Sequence, residues 1–263
     1  MPKVDSTRYT FFFATVVCVA CALLVAVSAV VLQPRQQANQ RSYMHKNVLL
    51  AAGLVDPDTN LSEAQLRELF RSSIRVRLVD FQQAELVPEG KVDVERFDQR
   101  RARDDPATSH AAPANRAGIT RLPNQGLVYL VAPKGEVEQL VLAVEGLGMW
   151  GTIYGFVALD RDARTVRGLT YYDQKETPGL GGEIGNPRWQ ALWRGRKPYD
   201  DQWHARITVI KGNAGPAEKD PLRVDGLSGA TITSNAVTQL MQFWLGDNGY
   251  GRWLRKFREG GKA

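Results

Sequence analysis

The residue with the clearest chemical potential is Thr231, which follows a run of small residues near the C-terminus. Residues 236–245 have a helical pattern, with Ser234 or Asn235 as the predicted N-cap and Gly246 as the predicted stop. Thr231 is therefore expected on a tight turn just ahead of a helix N-terminus. Free backbone N–H groups and the helix dipole favour an anion there, phosphate above all. An ordinary loop with a helix cap has the same pattern.

A second stretch, Glu176–Gly182, has the sequence Glu-Thr-Pro-Gly-Leu-Gly-Gly. Pro178 followed by Gly179 is typical of a tight turn, and Gly181 with Gly182 allows positive φ and the close approach of a flat ligand. The spacing of a phosphate-binding P-loop is missing. Taken alone, the stretch is equally explained as an ordinary connection between a strand and a helix.

The composition allows one sizeable domain with additions, since the chain has 263 residues. The net charge is +6, and the basic residues are spread along the chain without interleaved aromatic residues. No nucleic-acid motif is present, so no nucleic-acid partner is predicted. The basic balance instead favours proximity to anionic lipid or to acidic partner proteins.

The metal-binding residue types are sparse. The two cysteines, Cys18 and Cys21, lie in an apolar N-terminal run, so the rest of the chain has no disulfide framework and no thiolate metal site. Two thiols do not complete an iron–sulfur cluster, and packing inside a membrane helix is the favoured role. His45, His110 and His204 lie far apart in the sequence and predict surface or structural histidines, so no metal site is predicted.

A membrane anchor is predicted at the N-terminus. Residues 9–32 carry no charge, and as a helix they would extend about 36 Å, enough to cross a hydrocarbon core of about 30 Å. A cleaved signal peptide is the alternative, but the apolar run is longer than a signal-peptide core. Residues 1–8 form a short tail before the span. The flanking basic residues do not fix the orientation.

The remaining pattern is helical first and then rich in strands. Helices are predicted over 38–54 and 61–72, the second capped by Asn60 with Glu63 at capping-box spacing. Residues 82–126 are polar and proline-containing, which favours a peripheral insertion or a partner-facing arm. Predicted strands cover 74–79, 127–132, 138–144, 152–159, 166–172 and 206–210. Further helices are predicted from Asn186-Pro187 to 195 and over 253–258, the last packing on the domain.

The two chemical stretches together resemble a known family. Glu176–Gly182, followed later by Asp225–Thr231, is similar to the family formed by the C subunits of sodium-translocating NADH:quinone oxidoreductases (Na⁺-NQR). Asp-Gly-Leu-Ser-Gly-Ala-Thr also resembles the flavinylation motif of bacterial membrane redox complexes. Further matching stretches are Val144–Trp150, Tyr154–Asp160 and Phe243–Asp247. The resemblance covers 127–263 and the single N-terminal membrane helix.

The resemblance implies a covalent flavin. FMN would be joined through its phosphate to the Thr231 hydroxyl by a separate flavin transferase, while the chain itself supplies no catalytic residue. Trp150 either stacks near the flavin ring or is a core tryptophan. The residues that would shape the approach to the threonine are Ser228, Gly229 and Ala230. Those that would line the flavin are Glu176, Thr177, Gly179 and Leu180.

The implied fold is α+β, with a twisted, mostly antiparallel sheet and flanking helices in an FMN-binding domain at 127–263. Residues 33–126 would supply stalk helices, a strand and the polar insertion. The implied function is an electron relay from the NADH side of the complex toward quinone, within a six-subunit assembly, A to F. The implied location is the bacterial inner membrane, crossed once, with the flavin domain in the periplasm.

Two alternatives stay open. The G subunit of an Rnf-type ferredoxin:NAD oxidoreductase shares the attachment motif, although the polar region 82–126 favours the Na⁺-NQR family. A membrane-anchored scaffold or sensor would carry flavin without relaying electrons. The sequence has no dinucleotide fingerprint after a strand, which fits a relay that does not itself bind NADH.

Overall fold

The protein, described by a computed structural model over residues 7–260, begins with one long helix, α1 (Thr7–Ala51). The predicted helix over 38–54 is confirmed as the last part of α1. The chain divides into two compact units within this helix, after Met44. The predicted tail 1–8 falls largely on residues 1–6, which lie outside the described residues.

The first unit contains a candidate membrane span. Residues Thr7–Gln33 form 27 consecutive helical residues with a mean hydropathy of 2.9. At about 1.5 Å per residue they extend roughly 40 Å, enough to cross a bilayer core with some tilt. Cys18 and Cys21 are exposed on this segment. The structure therefore confirms an N-terminal helix long and apolar enough to span a membrane.

A six-stranded antiparallel sheet organises the second unit, with the strand order β2-β1-β5-β6-β7-β8. Its strands are β1 (Ile74–Asp80), β2 (Glu85–Leu86), β5 (Gln125–Val131), β6 (Gln139–Leu147), β7 (Thr152–Asp160) and β8 (Val166–Asp173). The strands predicted over 74–79, 127–132, 138–144, 152–159 and 166–172 are thus confirmed. The α+β class with an antiparallel sheet is confirmed with them.

Helices and short strands surround this sheet. The helices after α1 are α2 (Glu63–Ser73), α3 (Gln99–Asp104), α4 (Pro187–Ala191), α5 (Thr231–Leu245) and α6 (Gly251–Arg258), and a 3₁₀ turn covers Gly181–Gly185. Two short pairs are antiparallel β3 (Ser109–Ala111) with β4 (Arg121–Pro123), and parallel β9 (Thr208–Val209) with β10 (Arg223–Val224). The strand predicted over 206–210 is therefore only two residues long. Trp253 and Leu254 of α6 are buried, which confirms packing on the domain.

The start of α2 corrects one prediction. Ser62, not Asn60, is the N-cap, and Gln65, not Glu63, completes the capping box. The Ser62 hydroxyl accepts from the Gln65 backbone N–H at 3.3 Å, and the Gln65 side chain accepts from the Ser62 N–H at 3.0 Å. The pairs Asn60–Glu63 and Ser62–Gln65 have the same three-residue spacing, and only the backbone geometry shows that Ser62–Gln65 forms the capping box.

Helix α5 is fixed against β6 of the sheet. The indole N–H of Trp244 donates to the Glu145 carbonyl at 2.6 Å, and Trp244 is fully buried. Gly146 has no room for a side chain, because a Cβ there would lie 2.5 Å from the Leu240 Cβ. Burial of a large apolar side chain contributes about 1.5–3 kcal/mol. This packing sets where the N-terminus of α5 lies.

The polar region 82–126 is closely attached to the sheet, which differs from the predicted peripheral insertion. Strand β1 before it pairs with β5 after it, so 45–126 and 127–260 share one sheet and one compact unit. Arg100 on α3 stacks over the Tyr154 ring at 3.4 Å from its centroid and donates to Asp173 at 2.9 Å. Arg103 pairs with Glu145 at 2.8 Å. These contacts were not predicted, because a polar composition does not reveal them.

The ion pair between Arg103 and Glu145 generates a stability prediction. Burial raises the pKa of the Glu145 carboxyl, and Arg103 offsets part of that effect. Arg103→Met should lower the free energy of unfolding at pH 7 by about 3 kcal/mol, because the carboxylate stays buried without its cation. A carboxyl with a raised folded pKa stabilises the fold when protonated, below about pH 4.3, and this contribution is lost as the pH rises through the folded pKa. The loss caused by the substitution should therefore shrink near pH 4.

Urea unfolding at several pH values measures this effect. Arg101→Met is the matched control, since Arg101 lies on the same helix, is mostly exposed and, among the described residues, forms an ion pair only with Asp98 at 3.5 Å. Its effect should stay within about 0.5 kcal/mol. Equal losses for the two variants would contradict a specific role of the buried pair.

Candidate functional site

Thr231 is the first residue of α5 rather than a residue of the preceding turn, which corrects the predicted helix start. The Ser234 N–H already donates to the Ala230 carbonyl at 3.0 Å, so the helical ladder begins before the predicted caps. The Ser234 hydroxyl instead accepts from the Leu227 N–H at 3.3 Å. Within the described chain, no side chain caps the N-terminus of α5. The first-turn N–H groups therefore remain available to an anion, as expected.

The turn before α5 is built for close approach. Gly229 has φ +70°, a left-handed conformation that glycine adopts without strain. The Ala230 N–H closes the turn on the Leu227 carbonyl at 3.2 Å. Ser228 and Gly229 are exposed, while Ala230 is buried. Asp225 fixes the base of the turn, since its carbonyl accepts from the Trp189 indole N–H at 3.0 Å.

The two threonines at the start of α5 have opposite environments. Thr231 is exposed, whereas Thr233 is 2% exposed and its hydroxyl donates to the Glu176 carboxylate. Successive helical residues are rotated by about 100°, so positions two apart point to roughly opposite sides. Of these two threonines, Thr231 is therefore the exposed one, a physical difference that the residue types alone do not show.

Glu176 brings three separate segments together. One carboxylate oxygen accepts from the backbone N–H of Trp150 at 3.0 Å, and the other accepts from the Thr233 hydroxyl. The Glu176 side chain is buried, at 5% exposed. No ion pair among the described residues includes it. Three segments therefore meet at this carboxylate: the loop 176–182, the turn after β6 and the start of α5.

The loop Glu176–Gly182, which we call the glycine loop, contains the tight turn predicted at Pro178-Gly179. The N–H groups of Leu180 and Gly182 both donate to the Thr177 carbonyl, at 3.1 and 2.9 Å. The positive φ lies at Gly179, +75°, and not at the predicted pair Gly181-Gly182. Gly181 instead makes room for a side-chain contact, because a Cβ there would lie 2.8 Å from the Glu176 carboxylate and closer still to the Thr233 hydroxyl.

Exposed apolar side chains surround the three segments. Trp150 is 62% exposed, which excludes the alternative of a core tryptophan. Leu180 lies beside the turn before α5, since a Cβ on Gly229 would be 3.0 Å from the Leu180 Cδ2. We call the exposed set the apolar rim; its members are Leu147, Met149, Trp150, Leu180 and Ile232. Leu147, Met149 and Ile232 were missed from the sequence because an apolar residue gives no sign that it will be exposed.

Two absences limit the chemistry of this site. Among residues 7–260, no group of three or more His, Cys, Asp or Glu side chains could hold a metal ion. The same described residues provide no base within hydrogen-bond distance of the Thr231 hydroxyl. The arrangement can bind a phosphate at the helix start and a flat group against the apolar rim, which fits FMN in both parts.

Comparisons with known proteins agree with this chemistry. The FMN-binding domain family matches residues 148–246, which include Trp150, Glu176 and Thr231. The C subunit of the Na(+)-translocating NADH-quinone reductase of Yersinia pestis is 43% identical over 97% of this chain and 95% of its own length. The Pseudomonas aeruginosa protein of the same name is 40% identical over 99% of both chains. The chain belongs to this C-subunit family.

Solved structures support the same placement. The crystal structure of Shewanella oneidensis NqrC has a TM-score of 0.76 and 30% identity, and the match covers 85% of this chain and all of that one. The C subunit from Parabacteroides distasonis has a TM-score of 0.65 and 26% identity, covering 85% of this chain and 96% of its own. As a member of the C-subunit family the chain is a flavoprotein component of an oxidoreductase complex, and its FMN-binding domain contains all three converging segments.

The tight packing at Gly181 generates a prediction for this C-subunit protein. Gly181→Ala should lower the free energy of unfolding by about 1–3 kcal/mol, because the new methyl group displaces the contact between Thr233 and Glu176. Gly185→Ala lies in the same 3₁₀ turn and is the matched control. A Cβ at Gly185 meets nothing within 4 Å, so that variant should stay within about 0.5 kcal/mol of the parent. Thermal and denaturant unfolding measure both, and equal losses would argue against the contact.

Proposed function

We propose that this C-subunit protein is the membrane-anchored electron relay of a sodium-pumping NADH:quinone oxidoreductase, with FMN joined by a phosphoester to Thr231. The observation that carries the proposal is the exposed Thr231 hydroxyl on the uncapped first turn of α5. Family membership supplies the FMN, and this position supplies a place for its phosphate.

The helix start supports a phosphodiester electrostatically. The N-terminus of a helix carries roughly half a positive charge, and its unpaired N–H groups point outward along the axis. Ser228, Gly229 and Ala230 leave the hydroxyl open from the side of the turn. Since no described base activates this hydroxyl, attachment requires a separate flavin transferase during maturation. The hydroxyl oxygen would attack the FMN phosphorus of a flavin dinucleotide, whose phosphoanhydride bond breaks and releases a nucleoside monophosphate, while the hydroxyl proton passes to a base of the transferase.

The isoalloxazine ring is assigned to the surface between the glycine loop and Trp150. Leu180 and Trp150 offer exposed apolar area, and Thr177 is exposed with its hydroxyl available to a polar ring edge. Gly179 shapes the loop through its positive φ. When bound, FMN supplies the electron chemistry, and the chain holds and orients it.

The electron route extends beyond this chain. Electrons would enter from NADH through other members of a six-subunit assembly, A to F, and leave toward quinone. The relatives are named as C subunits of the sodium-translocating enzyme, which favours this assignment over the G subunit of an Rnf-type complex. A covalent link suits a relay outside the cytoplasm, because a lost FMN could not be replaced there.

Substitution of Thr231 tests both the bond and the relay. In Thr231→Ala, flavin fluorescence in a denaturing gel and the FMN-dependent increase in intact mass should disappear, because no hydroxyl remains to be esterified. NADH-to-quinone activity of the assembled complex should fall with them. Thr231→Ser is the matched control, since it keeps the hydroxyl, and it should retain flavin. Loss of flavin without loss of activity would favour a scaffold or sensor instead.

Fragmentation of the labelled peptide identifies the attached residue. No Lys or Arg lies between Val224 and Arg252, so Thr231 and Thr233 fall on one tryptic peptide. Backbone fragmentation between them should place the flavin on Thr231. Flavin on Thr233, or retained in Thr231→Ala, contradicts the proposal.

The location of the flavin domain gives a separate prediction. We place the second unit in the periplasm, with the chain crossing the inner membrane once. Alkaline phosphatase fused to the C-terminus should be active in cells, and green fluorescent protein fused there through the general secretion route should not fluoresce. The opposite pattern would place the domain in the cytoplasm. Fusions truncated before the candidate span provide the control.

A further inference from the structure

The site contains a buried carboxylate that the proposed flavin contacts do not need. Glu176 is 5% exposed, and its two oxygens are taken by the Trp150 N–H and the Thr233 hydroxyl. Its environment is also closed by glycines. A Cβ at Gly148 would lie 2.6 Å from one oxygen, and a Cβ at Gly181 would lie 2.8 Å from the other. The carboxylate is therefore covered by protein on both sides.

We propose that Glu176 is a positioning residue, which orients Thr231 for flavin attachment through Thr233 and does not itself touch the flavin. The inference rests on the proposed function, and it replaces the expectation that the Glu176 side chain lines the ring. Because positions two apart on a helix face opposite ways, a bond that holds Thr233 inward holds Thr231 outward. The same bond withdraws the second hydroxyl of Ala-Thr-Ile-Thr from modification.

The other carboxylate oxygen of Glu176 holds a second segment of the site, the turn that carries Trp150. Through the Trp150 N–H, Glu176 fixes the turn between β6 and β7, on which the most exposed member of the apolar rim stands. The two partners are 26 and 57 residues away in sequence. The Glu176 side chain thus sets the distance between the start of α5, which carries Thr231, and the turn that carries Trp150.

The chemistry of the two bonds determines which variants are informative. Burying a carboxylate is costly unless it is hydrogen-bonded, and charge-assisted bonds are the strong ones. In Glu176→Gln, the amide oxygen still accepts from the Trp150 N–H, and the amide nitrogen donates to the Thr233 oxygen, since a hydroxyl serves as either donor or acceptor. Glu176→Ala loses both bonds. Thr233→Val keeps the shape of Thr233 but loses one bond, and Thr233→Ser keeps the hydroxyl.

The test measures early flavin attachment in the full-length chain, produced together with the maturation system of the complex. Intact mass gives the flavinylated fraction over time. Glu176→Ala and Thr233→Val should slow attachment at least about tenfold, because a misdirected hydroxyl loses its orientation for reaction. Glu176→Gln and Thr233→Ser should each restore it. Circular dichroism and thermal unfolding confirm that each variant is folded.

Amide hydrogen exchange in flavin-free Thr231→Ala chains gives a readout that does not depend on loading. Exchange at the Trp150 amide should accelerate in Glu176→Ala and stay unchanged in Thr233→Val. Both variants should speed exchange at the Ser234 amide, whose N–H donates to the Ala230 carbonyl at the start of α5. If Glu176→Ala does not fold, Thr233→Val against Thr233→Ser decides the matter alone.

The outcomes separate this inference from the proposed function. Normal loading of folded Thr233→Val and Glu176→Ala, beside a loaded parent and an unloaded Thr231→Ala, overturns the positioning role and leaves the attachment site intact. Slow flavin attachment in Glu176→Gln, together with normal exchange at the Trp150 amide, also overturns the positioning role. In that case the carboxylate would act on the flavin directly and not through its hydrogen bonds. A parent that carries no flavin contradicts the proposed function itself.

Discussion

The buried contact between Glu176 and Thr233 is the constraint on which the site depends. It joins the glycine loop to the first turn of α5, and its other oxygen holds the turn that carries Trp150. Gly148 and Gly181 are needed beside it because a side chain at either position would collide with the carboxylate. A glycine-rich motif that suggested open space for a ligand thus provides space for a carboxylate first. The proposed ligand surface lies on the outer side of the same segments.

This contact works only because the elements that carry it are rigidly placed. Helix α5 is held to β6 through Trp244 and by the missing side chain at Gly146, so its N-terminus has one position relative to the sheet. Arg100 and Arg103 attach the region 82–126 to the strands β6, β7 and β8 of the same sheet. The sheet is therefore the common base for the three converging segments and for region 82–126.

Membership in the C-subunit family connects this local geometry to a membrane process. The N-terminal helix of the chain is long and apolar enough to cross a bilayer. A covalent flavin would add a second attachment. The span would hold the relay at the membrane, and the covalent bond would hold the flavin on the relay. The exposed apolar rim is the surface against which we propose that the flavin rests.

Much of this architecture follows from the sequence itself. Alternation identified the first predicted strand, and apolar segments separated by Gly, Pro and Asp identified four more of the six strands of the sheet. An uncharged run of 24 residues identified the candidate span, and the resemblance of the two motifs identified the family and Thr231. These features depend on local periodicity and on residue types, which a linear chain displays. The start of α5 and the cap of α2 were misjudged, and the contacts of region 82–126 were not predicted, because each depends on which of several suitable partners is near. The motif selected Thr231 by resemblance, and only the tertiary structure gave a physical reason to separate it from Thr233. Their residue types are identical, and it is the burial of one against a carboxylate 57 residues away that leaves the other exposed.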